Sequence, residues 1–288
     1  MKTELRKEQV VLKLKNRVGT VDVNIHEPES VWGSVFCFHG FIGSGSDFDE
    51  LAAFLVGNGL RVVCPDMPGR GTSTHFADPD IYKAPTYMEI TRLLVARYGT
   101  GRVIFIGSGW GATIALLFTQ LANFTPNRLI LCDLIFTGSA KLNALSQLLM
   151  ELLNREFDSP EDADRFWQEE SENLGLVTGS TASPSLVKNL VRTGDRYRLS
   201  CDKMIAYSLD FPPSFDLSPM LKSARAPTLA LYGRSNPFLN VEILKKVAHE
   251  NKNFDYITEI EEYNTIVLDN IQICSIIYGF ISTISPKS

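Results

Sequence analysis

Short, wholly apolar runs alternate with longer segments of helical periodicity, and that alternation limits this chain to few folds. Val35–Phe38, Leu60–Cys64, Val103–Ile106 and Leu129–Cys132 are such runs. Strands without an exposed polar face are buried on both sides, as in parallel sheets. After the first run, Phe48, Leu51, Ala52 and Leu55 share one helical face. Ser46 stands where a cap would, and Gly57 and Gly59 end the segment. Thr86–Tyr98 and Gly111–Leu121 read as further helices. Strand, helix and strand in regular succession imply right-handed crossovers.

Ahead of these units, Val10–Leu14 and Val21–Ile25 alternate apolar and polar residues around Asn16–Gly19. This predicts an antiparallel hairpin at the sheet edge. After an interruption the alternation resumes with Pro227–Tyr232 as a strand, Val241–His249 as a helix and Phe254–Ile260 as a strand. A buried terminal helix is expected over Ile271–Ile284. The pattern predicts an α/β fold with a mostly parallel eight-stranded sheet flanked by helices.

The interruption looks helical throughout. Leu142, Leu145, Leu148, Leu149, Leu152 and Leu153 recur at helical spacing. Ser159-Pro160-Glu161 opens a second helix, with proline in the first turn, and Pro184 starts a third. The expected division is a core of residues 1–137 and 222–288 with a helical cap inserted at 138–221.

Composition sets limits on partners. The chain has 288 residues, a net charge of −5 and a pI near 5.5. Mild acidity without a dense basic run argues against nucleic-acid or anionic-membrane binding. Five widely spaced cysteines without a C-x-x-C read as buried thiols in a reducing compartment. No Cys/His pair has ligand spacing, so neither a metal nor a cofactor is expected. The charged start MKTELRKEQV lacks an apolar stretch, and the expected location is the cytoplasm.

Three loops follow three of the strands: His39-Gly40-Phe41, then Asp66-Met67-Pro68-Gly69-Arg70-Gly71-Thr72-Ser73, then Gly107-Ser108-Gly109-Trp110-Gly111. All fall at strand carboxyl ends, where α/β sheets bind ligands. The third loop allows two readings. Gly107-x-Gly109-x-x-Ala112 fits a dinucleotide-binding turn, with Asp133 placed where a ribose-binding acid would stand. Gly107-x-Gly109-x-Gly111 fits a nucleophile elbow, G-x-S-x-G, with glycine for serine. The dinucleotide turn normally opens the first βαβ unit, whereas here several strands precede it.

Together the three loops, the hairpin start, the insertion and the strand pattern Pro227–Gly233 resemble the α/β-hydrolase superfamily. Ala77-Asp78-Pro79-x-x-Tyr82 and Leu131-Cys132-Asp133 look like a bacterial subgroup of capped hydrolases. The resemblance implies an oxyanion loop at His39, Gly40 and Phe41. It also implies a triad of serine at the elbow, acid after the seventh strand and histidine after the eighth. In this sequence those positions read Gly109, Asn236 and Asn264. Ser108 is one residue early, and as nucleophile it would need glycine where Trp110 stands. His39 reads as a structural part of its loop, and His249 as a helix-surface residue. His26 and His75 lack a partner signal.

The chain is therefore expected to be a pseudohydrolase with a pocket for a small apolar ligand or a partner protein. That pocket would be floored by Phe41, Gly109 and Trp110, with Asn236 and Asn264 offering amides. An active serine-independent hydrolase or lyase acting on a small ester is the second reading, and dinucleotide binding the third. The sequence leaves the oligomeric state open.

Overall fold

The computed structural model describes residues 4–14, 17–120, 124–135, 140–174, 186–208, 215–234, 236–260, 266 and 268–284. The chain opens with β1 (Glu4–Leu14) and β2 (Arg17–Glu27), an antiparallel pair longer than the alternating pattern predicts. Then come β3 (Gly33–Phe38), α1 (Asp49–Val56), β4 (Leu60–Pro65), α2 (Ala84–Tyr98), β5 (Arg102–Ser108), α3 (Trp110–Thr119) and β6 (Arg128–Cys132). The insertion carries α4 (Ala140–Asn154), α5 (Pro160–Asn173), β7 (Leu190–Thr193) and β8 (Arg196–Leu199). The chain continues through α6 (Ser218–Ser223), β9 (Thr228–Gly233), α7 (Val241–Glu250), β10 (Phe254–Ile260) and α8 (Ile271–Ser282).

The main sheet has eight strands in the order β1-β2-β4-β3-β5-β6-β9-β10. Only the β1–β2 and β2–β4 pairs are antiparallel. Successive residues of the central strands serve opposite layers. Val35, Cys37, Ile104 and Ile106 pack with α1 and α8, while Phe36, Phe38 and Phe105 face the layer of α2 and α3. Each of these side chains is fully buried. Burying an apolar side chain of this size contributes roughly 1.5–3 kcal/mol, so the sheet centre anchors the loops at its carboxyl edge.

The insertion differs from the all-helical expectation: β7 and β8 form an antiparallel hairpin. Its turn holds Gly194 at φ +61°. Arg192, Arg196 and Arg198 lie within these four-residue strands, so no apolar run signals them. The expected start of α5 is present: Ser159 accepts the Asp162 amide at 3.1 Å. Leu142, Leu148, Leu149 and Leu152 of α4 are buried. The helix start at Pro184 lies outside the described residues. Ser46 does not cap α1; a 3₁₀ turn over Gly45–Phe48 precedes it, and Ser44 stands before that turn.

The hairpin is joined by backbone bonds to the loop Asp66–Ser73. Gly71 donates to Ser200 O at 2.9 Å, and Asp202 donates to Gly69 O at 2.7 Å. Asp202 in turn accepts the Ala77 amide and the Tyr82 hydroxyl. All five cysteines are free and buried. Among the described residues no helix is long and apolar enough to cross a membrane, and no group of three metal-ligating side chains occurs.

Candidate functional site

The turn between β5 and α3 has elbow geometry. Gly109 adopts φ 53° and ψ −114°. Its two flanking glycines are fixed by packing. A Cβ on Gly111 would overlap the Phe38 carbonyl, and one on Gly107 would collide with Gly111 O and Ala112. At Gly109 a Cβ would meet nothing nearer than Gly40 Cα at 4.0 Å. Glycine is thus required sterically at the outer positions, while the central one keeps space for a side chain. Only the positive φ there favours glycine. Close packing of helix on strand accounts for Gly107 and Gly111, and the positive φ for Gly109, so the glycine pattern requires no phosphate.

The neighbouring loop is held by His39. Its Nε2 accepts the Met67 amide at 2.9 Å, and its Nδ1 donates to Gly40 O at 2.7 Å. Burial pushes its pKa down, with the Arg70 charge adding to the effect. A neutral imidazole with both nitrogens engaged fixes the loop, and it has no lone pair left for a proton transfer. Gly40, Phe41, Gly109 and Trp110 are each partly exposed, so solvent reaches the elbow. The Trp110 ring meets the Tyr87 ring edge-on at 6.3 Å.

Asn236, expected at the acid position, is spent on a carboxyl. Its Nδ2 donates to Asp133 Oδ1 at 2.8 Å, and its Oδ1 accepts the Phe238 amide at 2.8 Å. It therefore has little left to offer a ligand amide. Asp133 Oδ2 accepts the Ile266 amide. The Asp133 backbone sits at φ 51°, a region that favours glycine, asparagine and aspartate. Burial raises its pKa to about 7 against the opposing donors Ile266, Asn236 and Gly233. Asp133 thus ties together the ends of β6 and β9 and the chain beyond β10. Asn264 lies outside the described residues.

The remaining histidines stand elsewhere. His26 on β2 faces Asp49 at 3.9 Å, and His75 and His249 are exposed, the latter on α7. Ser108 ends β5 and pairs with Cys132, so it belongs to the sheet. Arg70 is the residue that motif reading misses, because it fills a variable position of D-x-x-G-x-G-x-S. It is 1% exposed and donates to Phe41 O at 2.9 Å through Nε.

The fold and the turn define a hydrolase-type scaffold with Gly109 at the centre of its elbow. The family model described as alpha/beta hydrolase fold matches residues 33–261, and the chain belongs to that family. A 3-hydroxybutyrate-oligomer hydrolase of Cupriavidus necator is 37% identical over 97 residues, covering 34% of this chain and 33% of the relative. A serine hydrolase-like protein of Danio rerio is 32% identical over 108 residues, covering 36% of this chain and 33% of the relative. The chain thus matches about a third of the length of these two relatives. Among solved structures, a hydrolase from Rickettsia typhi superposes with a TM-score of 0.80 at 20% identity, covering 99% of this chain and 100% of the other. An α/β hydrolase from Novosphingobium aromaticivorans does so with 0.81 at 22% identity, covering 96% and 99%. At these identities the likeness is one of fold.

Proposed function

We propose that this chain is a pseudohydrolase: a capped α/β-hydrolase fold that keeps a ligand site and has lost hydrolysis. The core comprises residues 1–137 and 222–288, and residues 138–221 form the cap. The observation that carries this reading is Gly109 at the elbow, where the backbone is right for a nucleophile and the hydroxyl is missing. His39, in the loop that faces Gly109, supports it, since both of its ring nitrogens are engaged. Without a nucleophile and a base, acyl transfer lacks both of its starting groups. The site then takes a small, largely apolar ligand or a partner protein in the cytoplasm, with no nucleic-acid or membrane role.

The test is exposure of the full chain to a fluorophosphonate probe and to short activated esters. No labelling and no hydrolysis above background are expected. Stoichiometric labelling of a serine, Ser108 included, would overturn the reading. One observation favours the second reading, a serine-independent hydrolase or lyase: the Asp133 carboxyl, at about 7, can exchange a proton near neutrality. Turnover of a small ester that disappears in Asp133→Asn would establish that reading instead.

A further inference from the structure

Among the described residues, Ala77 and Asp133 are the non-glycines with a positive φ, and Ala77 sits at 52°. An aspartate tolerates that backbone, whereas an alanine there is strained and stays only where its surroundings hold it. The holder is in the insertion. Asp202 Oδ2 accepts the Ala77 amide at 2.7 Å and also the Tyr82 hydroxyl. The same hydroxyl accepts the Phe76 amide at 2.8 Å. Asp202 Oδ1 accepts the Met204 amide at 3.0 Å, which fixes the carboxylate in place. The two ends of the Ala77-Asp78-Pro79-x-x-Tyr82 motif thus converge on one carboxylate.

From Tyr82 a chain of contacts reaches the elbow loop. The Tyr82 ring lies against Gly69, where a Cβ would come within 2.7 Å of it. Tyr82, Phe41 and Tyr87 surround Arg70, whose Cζ lies 5.9, 5.2 and 5.6 Å from their ring centroids. Arg70 Nε donates to Phe41 O at 2.9 Å. The Phe41 turn is closed by the bond from the Gly43 amide to Gly40 O at 3.2 Å. The Asp202 carboxylate bonds are free to break while the main-chain bonds Gly71–Ser200 and Asp202–Gly69 remain.

We propose that Asp202 and the segment Phe76–Tyr82 form a strained catch that controls the opening of the Phe41 turn. Closed, Asp202 holds Ala77 at positive φ and keeps the Tyr82 ring against Gly69 and beside Arg70. Open, Ala77 relaxes to negative φ, Tyr82 loses its anchor, and Arg70 and Phe41 gain freedom. The strain lowers the cost of opening, so the catch is a local two-state element within an insertion that stays in place. Asp202 is thus a positioning residue for the elbow, whatever chemistry the elbow performs.

The experiment is amide hydrogen exchange and thermal unfolding of the full chain as wild type, Ala77→Gly, Asp202→Ala and the double variant. In wild type the Phe76, Ala77 and Gly43 amides should exchange faster than those of Gly71 and Asp202. Glycine takes a positive φ without strain, so Ala77→Gly should slow exchange at Phe76 and Gly43 roughly fivefold. Ala77→Gly should also raise the melting temperature while Asp202 is present, and should fail to do so in Asp202→Ala, where the segment has already relaxed. A role in packing alone would make the two changes additive. If Asp202→Ala does not fold, the exchange rates of wild type and Ala77→Gly decide. An equal rise in both backgrounds, wild-type exchange at Phe76 as slow as at Gly71, unchanged exchange in Ala77→Gly, or slowing at Phe76 without slowing at Gly43 each overturns the proposal. These outcomes leave the pseudohydrolase reading standing, since that reading fails only on probe labelling or turnover.

Discussion

The side-chain amide of Asn236 donates to the buried carboxyl of Asp133 across 2.8 Å, so a carboxyl still stands beside the usual triad acid position, carried by the neighbouring strand. A direct return of the acid, Asn236→Asp, would press two buried carboxyls together. Like charges at that distance cannot both ionise. The variant should lose on the order of 2–3 kcal/mol at pH 8 and recover much of it near pH 5, where one proton can be shared. Urea unfolding at the two pH values checks this, and an unchanged midpoint at pH 8 would refute it.

Asp133 also contributes to the pH dependence of the native protein, in the sense opposite to the buried His39. For Asp133 the folded-state value of about 7 lies above the 3.8 of an ordinary aspartate, so the folded chain holds the extra proton. Its contribution to stability is complete below about pH 4 and is lost as the pH rises through 7. The loss is on the order of 4 kcal/mol. Melting temperatures between pH 4 and 8 should show this fall in wild type, and Asp133→Asn should flatten it. A slope that persists in the variant would assign the effect to another group.

The elbow glycines should differ in tolerance. Gly111→Ala drives a methyl into the Phe38 carbonyl and is expected to cost on the order of 4 kcal/mol or to prevent folding. Gly109→Ser has room for its side chain and should cost about 1–3 kcal/mol, from the positive φ alone. Thermal unfolding of the two variants separates packing from backbone strain. A Gly109→Ser protein as stable as wild type would place the strain elsewhere.

Gly109→Ser should remain without hydrolase activity, because a bare hydroxyl is a weak nucleophile. Reconstruction needs a base, and the resemblance to the family's triad order puts it at Asn264. Gly109→Ser with Asn264→His, leaving Asn236 and Asp133 in place, is expected to hydrolyse short activated esters faster than the triple variant that adds Asn236→Asp. The reverse order would show that Asp133 cannot act as the acid.

The sheet was legible because its central strands are apolar without interruption, its first two strands alternate, and α1 and α2 end at glycines; β10 runs over the residues that the pattern marks, Phe254–Ile260. The elbow frame was legible for a related reason, since Gly107 and Gly111 are demanded by contacts that any occupant of the turn would impose. The β7–β8 hairpin was not, because its strands are short, mostly exposed and rich in arginine. Nor were the partners of Asp133 and Arg70. Residue pairs 103 apart, as Asp133 and Asn236 are, leave no local pattern. Arg70 reads as one more polar loop residue until three aromatic rings from separate segments close around it.

The backbone bonds between the Asp66–Ser73 loop and the insertion bear on how anything enters. Because Gly71 and Asp202 are bonded across this junction, swinging the whole insertion outward would rupture main-chain pairing and expose the Asp202 carboxylate together with the amide it accepts. A guest of the proposed site would therefore exchange through small local openings at the partly exposed Phe41 turn. The junction itself would then rank among the slowest amides of the insertion in hydrogen exchange, with Gly71 and Asp202 opening only when the domain does.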